Sequence, residues 1–154
     1  MGGISKFTEA ELAELRGRRL VIAAELEEEN RTRRDVEEQI QLEAEAQLES
    51  FDFPAHRALV LAGKDWNPGV IGLTASRLVE KYHYPTILLS ERDGVLTGSC
   101  RSIPGVDIHA ALTAVKHLLV KYGGHRQAAG LTLAADHLDD FRTELDAWLF
   151  QNIP

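Results

Sequence analysis

The segment spanning residues 8–50 is the part of the sequence that most restricts the fold. It contains no proline, a single glycine (Gly17) and many charged residues. Proline breaks the interior of a helix and glycine weakens it, so this composition favours helix throughout. Thr8 and Glu11 have the spacing of a capping box, which predicts that a helix begins there. The apolar residues form only a sparse stripe, and we expect a helical arm of one helix, or of two or more helices with a break near Gly17 or Asn30.

Residues 51–154 have a different composition, in which short β-rich runs alternate with helical patterns. Asn67-Pro68 is typical of a helix start, Asp93-Gly94 of a hairpin turn, and Gly123-Gly124 of a helix end. We predict strands at residues 57–62, 86–90, 95–101 and 128–133, and helices at residues 68–82, 107–121 and 138–149. The predicted fold class is α/β, with a helical N-terminal arm at residues 1–50 and a compact β-α-β-β-α-β-α domain around one central sheet.

The formal net charge of −7 argues, taken alone, against a protein that binds nucleic acid, because phosphate contacts need a basic surface. The charge is unevenly distributed, however. Residues 1–50 hold 13 acidic and 7 basic residues, and residues 136–154 hold 5 acidic residues and 1 basic residue. Residues 51–135 hold 9 basic and 6 acidic residues, together with five of the six histidines. The central part of the chain is therefore compatible with a phosphate-bearing ligand.

Neither secretion nor membrane insertion is indicated by the sequence. Cys100 is the single cysteine, so no internal disulfide can form. No apolar run reaches the roughly 18 residues that span a bilayer, and no signal peptide is seen. We therefore expect a cytoplasmic protein that does not contact a membrane.

The end of the third predicted strand carries a candidate phosphate-binding site. Strand alternation places Ser99 and Arg101 on one face, where a hydroxyl and a guanidinium fork can bind a phosphate together. Ser102 follows directly and is a third candidate. The alternative is an exposed strand whose arginine pairs with a carboxylate. By the same alternation, Cys100 points inward as a buried thiol.

Two further segments carry candidates for nucleotide contacts. Gly123 and Gly124, after a helix, would expose backbone N–H groups to an anion, with His125 as a donor beside them. The alternative is an ordinary helix end. Trp66 precedes a predicted helix N-terminus, where it either stacks on a base or belongs to the core. We expect no metal site, because the acids around His137 favour a helix start instead.

Taken in order, these motifs resemble the DHH-associated domain of RecJ-type single-strand-specific exonucleases, over roughly residues 51–150. The resemblance rests on WNPGVIG from Trp66, ASRLVE from Ala75, YPTI from Tyr84, GSCRSI from Gly98, GGH from Gly123 and AAGL from Ala128. The charged run EENRTRR from Glu28 resembles the long connecting helix that precedes this domain in the family.

The resemblance implies the binding half of a 5′-to-3′ single-stranded-DNA exonuclease of DNA repair and recombination. In that family the catalytic residues belong to a DHH domain of the same full-length protein, which holds Mn²⁺ or Mg²⁺. This chain has no matching Asp-His-His motif, so we expect no catalytic residue, no bound metal and no cleavage by the chain alone. By the same resemblance, Ser99 and Arg101 would bind a backbone phosphate, and Gly123, Gly124 and His125 would face the nucleotide near the scissile bond.

Two other hypotheses stay open at this point. The same module occurs in phosphodiesterases that degrade oligonucleotides or cyclic dinucleotides, and a related one occurs in alanyl-tRNA synthetase. In a hypothesis of another class, residues 1–50 oligomerise and the α/β part is only a cap. Removing the arm would then abolish a dimer without changing DNA affinity.

Overall fold

A computed structural model describes residues 8–153 and gives four α-helices and five β-strands within them. The chain divides into two compact units, Met1–Val36 and Glu37–Pro154. Helix α1 comprises Glu9–Leu48 and is not interrupted at either of the two predicted break points. No helix in the described part of the chain is long and apolar enough to cross a membrane.

Local contacts along α1 support the helix in the first unit. The N–H of Glu11 donates to Oγ1 of Thr8 at 3.1 Å, and that hydroxyl donates to the Glu11 carboxylate at 3.2 Å. The first of these bonds is one half of the predicted capping box. Arg18 pairs with Glu14 at 2.7 Å, one helical turn away. From Glu9 to Asp35 nearly every residue is exposed, so this part of the helix depends on such contacts within itself.

A five-stranded sheet forms the centre of the second unit. Its strands are β1 Leu59–Lys64, β2 Thr86–Arg92, β3 Val95–Arg101, β4 Lys121–Gly124 and β5 Ala128–Ala134. The spatial order is β1-β2-β3-β5-β4, with β1 and β2 parallel and the other neighbours antiparallel. The remaining helices are α2 Ile71–Tyr82, α3 Ile108–Ala114 and α4 Leu138–Asn152. The predicted α/β class with one central sheet is confirmed.

Side-chain alternation gives the sheet two unlike faces. One face is apolar and forms the main core with α3 and α4, from residues that include Ile87, Leu89, Leu96, Cys100, Leu131, Leu133, Phe141 and Leu145. On the other face, β3 and β5 carry small and polar residues, and α2 packs against β2 and β3 there. The candidate site lies on this second face and includes residues of β3, β5 and β4.

One predicted helix is too long, and one strand was not predicted. The helix expected at residues 107–121 begins after Asp107, whose carboxylate accepts from the N–H of Ala110 at 3.0 Å, but it ends at Ala114. The N–H of Val120 donates to the carbonyl oxygen of Thr132 at 2.8 Å, and β4 follows as a partner of β5. Sheet pairing thus overrides the helical spacing of this segment, and the order becomes β-α-β-β-α-β-β-α.

The helix predicted to begin at Pro68 begins instead at Ile71. The carbonyl oxygen of Asn67 accepts from the N–H groups of Val70 at 2.9 Å and Ile71 at 3.2 Å. The side chain of Asn67 accepts from the N–H of Gly69 at 2.8 Å. Asn67 therefore stabilises a turn that precedes the helix.

Two side chains cover the free edge of β1. Arg142 of α4 donates through Nε and Nη2 to the carbonyl oxygen of Val60, at 3.1 and 2.9 Å. Gln47 donates to the carbonyl oxygen of Ala62 at 2.8 Å. These bonds block further strand pairing at β1.

Candidate nucleic-acid interface

Ser99 and Arg101 lie on the face of β3 that is turned toward the first turn of α2. A Cβ atom on Gly72 would lie 2.7 Å from Nη2 of Arg101 and 3.6 Å from Oγ of Ser99. Both residues are half-buried, and Nη1 of Arg101 donates to the carbonyl oxygen of Cys100 at 2.8 Å. Within residues 8–153, no carboxylate forms an ion pair with Arg101. The guanidinium is therefore oriented by the protein while it keeps donors for an anion.

The sheet register joins two motifs that are far apart in the sequence. Ser99 pairs with Gly130, and Gly130 pairs on its other side with Gly123. Neighbouring strands are about 4.8 Å apart, so Ser99 and Gly123 lie about 10 Å from each other on one face. In the next row Arg101 pairs with Ala128. Because the residues between the two motifs are small, a ligand can approach the backbone of β5 closely.

Gly123 and Gly124 have different surroundings. A Cβ atom on Gly123 would have no atom within 4 Å, so this position opens onto free space. Gly124 has a φ of 137°, and its Cβ atom would lie 2.5 Å from the carbonyl oxygen of Ala128. Both glycines belong to the edge strand β4, so the predicted group of N–H donors at a helix end is wrong. Gly123 leaves the face accessible, whereas Gly124 allows the chain to enter the hairpin.

His125 begins the connection from β4 to β5. Its N–H donates to the carbonyl oxygen of Ala128 at 2.9 Å, and its side chain is exposed. Ala128 in turn pairs with Arg101 of β3. His125 is therefore placed across Ala128 from the guanidinium, within the same part of the sheet.

A cleft of about 340 Å³ continues this face along β5 and β4. Its lining residues are Thr97, Gly98, Lys121, Tyr122, Gly123, Gly130, Leu131 and Thr132. On this face the cleft has Gly123, Gly130 and Thr132 at its base, and the exposed side chains of Thr97 and Lys121 at its rim. Gly98 contributes backbone only, because a side chain there would point at Leu89 in the core.

Two predicted site residues are not available to a ligand. Trp66 is 2% exposed, and a Cβ atom on Gly63 would overlap its indole ring. The ring is part of the core, which is the second of the two alternatives for Trp66, and its burial does not fit the predicted stacking on a base. Ser102 is also buried, and its hydroxyl donates to the carbonyl oxygen of Val106 at 2.6 Å. Its role is to hold the loop after β3, and the prediction of a phosphate contact fails because the hydroxyl is already engaged.

The thiol of Cys100 lies on the core face of β3, as alternation with Ser99 and Arg101 predicts. Burial raises the pKa of this thiol to about 12. A protonated, inaccessible thiol is a poor nucleophile, so Cys100 is a packing residue.

Sequence reasoning missed several residues of this face. Lys121, Thr97 and Thr132 line the cleft, but Lys121 lay in a predicted helix, where alternation with Gly123 could not be used. Gly72 is the last residue of the WNPGVIG motif, and nothing in the sequence connects it with Arg101. Within residues 8–153, no group of three or more His, Cys, Asp or Glu side chains is arranged to hold a metal ion.

The model of the DHHA1 domain family matches residues 55–151 of the chain. Among known proteins, the chain is 36% identical to the single-stranded-DNA-specific exonuclease RecJ of Bacillus subtilis over 127 residues, which is 81% of this chain and 16% of that protein. It is 38% identical to RecJ of Dickeya dadantii, over 79% of this chain and 23% of that protein. The chain thus spans about a fifth of the length of these relatives.

Solved structures show the same similarity. RecJ from Thermus thermophilus in complex with Mg²⁺ matches with a TM-score of 0.73 and 30% identity, over 85% of this chain and 20% of that chain. An exonuclease RecJ bound to manganese matches with a TM-score of 0.73 and 30% identity, over 86% of this chain and 32% of that chain. The resemblance to RecJ-type exonucleases is confirmed by these matches, and the chain belongs to the DHHA1 domain family.

Proposed function

We propose that this domain binds single-stranded DNA and holds it for a metal-dependent catalytic domain of the same full-length protein. The whole protein would be a RecJ-type exonuclease of DNA repair and recombination, with the 5′-to-3′ polarity that the resemblance implies, acting in the cytoplasm. Mn²⁺ or Mg²⁺ would be held by the other domain. The relatives that match are single-stranded-DNA-specific exonucleases, and two matched RecJ structures hold Mg²⁺ or manganese.

The observation that carries this proposal is the sheet register at the candidate site. Ser99, Gly130 and Gly123 form one row, and Arg101 lies in the neighbouring row opposite Ala128. This arrangement combines a guanidinium fork, a hydroxyl and an accessible glycine backbone on one open face. A phosphodiester backbone offers the oxygens that the first two groups bind, and its sugars and bases need close access to the protein surface.

The charge distribution agrees with such a ligand. The acidic excess belongs to residues 1–50 and 136–154, and the segment with the site has 9 basic against 6 acidic residues. This excess is modest, so we expect weak binding by the isolated chain that falls as salt rises. Tight binding would need the rest of the protein.

Fluorescence anisotropy with labelled single-stranded DNA at several salt concentrations tests the proposal. Arg101→Ala should weaken binding about tenfold or more, since a hydrogen bond to a charged group contributes roughly 1.5–3 kcal/mol. His125→Ala should weaken it to a smaller extent. Lys116→Ala is the control, because Lys116 is exposed and follows α3 on the opposite side of the sheet. Binding that is equally affected by all three substitutions, or absent below millimolar concentrations, would contradict the proposed interface.

The same DNA incubated with Mn²⁺ addresses catalysis. We expect no cleavage by this chain, because the described residues hold no cluster suited to a metal ion. Robust cleavage would contradict the proposal that this domain binds the DNA and another domain cleaves it.

A further inference from the structure

We propose that the cleft next to Ser99, on the same face of the sheet as Arg101, is a second backbone-phosphate subsite for single-stranded nucleic acid, with Lys121 as its cation. The inference rests on the proposed function, since it extends the path of the strand that Arg101 would hold. It assigns a role to a residue that belongs to none of the predicted motifs.

Lys121 of β4 lies on the same face of the sheet as Ser99 and Gly123. Lys121 pairs with Thr132, and Thr132 pairs on its other side with Thr97 of β3. This row lies two residues along the strands from the row of Ser99, Gly130 and Gly123, which corresponds to about 7 Å. Residues two apart share a face, so both rows open to the same side of the sheet. Arg101 lies two residues further along β3 than Ser99, so its Cα atom is about 16 Å from that of Lys121. About two or three nucleotides of an extended single strand cover this distance.

The row of Lys121, Thr132 and Thr97 carries side chains that can bind a phosphate. Lys121 and Thr97 are exposed, and Thr132 is 9% exposed at the base of the cleft. Among residues 8–153 no carboxylate pairs with Lys121, in contrast to Lys81, which is paired with Glu45. A lysine ammonium is a flexible point charge that binds phosphate from several directions, and a threonine hydroxyl adds a hydrogen-bond donor.

The cleft provides space for part of a nucleic-acid strand between the row of Ser99 and the row of Lys121. The cleft holds about 340 Å³, at the lower end of the range of roughly 300–1,000 Å³ that is usual for small-molecule sites. Gly123 and Gly130 form its floor, and a Cβ atom on Gly123 would meet no other atom. A nucleoside fits such a floor, so a strand held at Arg101 would cross it and present a phosphate about two or three nucleotides further on to Lys121.

The test is a salt titration of binding to a labelled oligothymidylate, for wild type, Lys121→Ala, Arg101→Ala and the control Lys116→Ala. Circular dichroism checks that each variant folds. For single strands each phosphate contact contributes a slope of about −0.7 to log K against log salt. We expect Lys121→Ala to reduce the slope by about 0.7 and to weaken binding severalfold at low salt, while Lys116→Ala changes neither.

The outcomes separate this inference from the proposed function. If Arg101→Ala weakens binding and Lys121→Ala behaves like Lys116→Ala, the second subsite is wrong and the proposed function stands. If neither Arg101→Ala nor Lys121→Ala changes binding, or no binding occurs, both fail. A reduced salt slope in both variants supports the second subsite as well as the proposed function.

Discussion

Gly72 leaves the space that the guanidinium of Arg101 occupies, because a Cβ atom on Gly72 would lie 2.7 Å from Nη2 of that arginine. The nearest atom is thus the far end of a flexible side chain, which can move without disturbing the sheet. Gly72 lies in the first turn of α2, where alanine is favoured over glycine. Alanine at this position would therefore favour the helix but displace Arg101 from its place in the candidate site.

Gly72→Ala should consequently separate stability from binding. We expect the free energy of unfolding to stay the same or rise by up to about 1 kcal/mol, because alanine favours helix. Binding of single-stranded DNA should weaken severalfold, since Arg101 is displaced. Urea unfolding and fluorescence anisotropy on the same preparation check both. Unchanged affinity in a folded variant would show that the position of Arg101 does not matter for binding.

The two glycines of β4 should respond differently to alanine. The Cβ atom that Gly123→Ala adds would point into free space, so we expect unchanged stability and weaker DNA binding for this variant. Gly124 has a φ of 137°, and its Cβ atom would meet the backbone of Ala128, so Gly124→Ala should destabilise the domain by roughly 1–3 kcal/mol or more. Thermal unfolding and anisotropy measure the two effects. A loss of stability in Gly123→Ala comparable to that in Gly124→Ala would refute this distinction.

Cys100 should make stability depend on pH in the alkaline range. Burial raises the pKa of its thiol from an ordinary value of 9.0 to about 12. The stabilising contribution of the protonated thiol is present below pH 9 and is lost as the pH rises toward 12. Unfolding in urea at a series of pH values should show this decline, and Cys100→Ala should remove the part that the thiol causes. In the folded protein at pH 8, a thiol reagent should react with Cys100 only as fast as the domain opens.

The Glu45 carboxylate should make the stability of the domain depend on pH in the acidic range. The hydrogen bond from Lys81 is the main cause that lowers the pKa of the Glu45 carboxyl, and the Tyr82 hydroxyl also donates to it at 3.1 Å. A lowered pKa means that the carboxylate stabilises the fold above pH 4.5 and loses this effect as the pH falls through its folded-state pKa. Lys81→Met should therefore reduce stability at pH 7 and have little effect near pH 2. An equal loss at both pH values would mean that packing of the lysine stem is responsible.

Local signals were sufficient for much of the fold. Asp93 and Gly94 both have positive φ, at 53° and 77°, as a two-residue hairpin turn requires, and β3 has the predicted bounds. The common face of Ser99 and Arg101 followed from the period of two in a strand. These features depend on residues close together in the sequence.

Features set by distant residues could not be predicted in this way. The segment before Gly123 has apolar residues at helical spacing, and its pairing with β5 is decided by a strand that comes later in the chain. The sequence leaves open whether Trp66 stacks on a base or belongs to the core, and the absence of a side chain at Gly63 decides this by giving the ring a place in the core. Lys121 could not be predicted as a site residue for the same reason, because its place in β4 depends on pairing with the later strand β5.

A two-dimensional ¹H–¹⁵N NMR titration of the chain with a single-stranded oligothymidylate tests the central claim most directly. We expect the largest shifts on the backbone amides of four residues that share one face of the sheet, namely Ser99, Arg101, Gly123 and Gly130. Amides of α4, on the opposite side, should move little. Shifts that are largest on α3 and α4, or confined to α1, would contradict a nucleic-acid interface at this site.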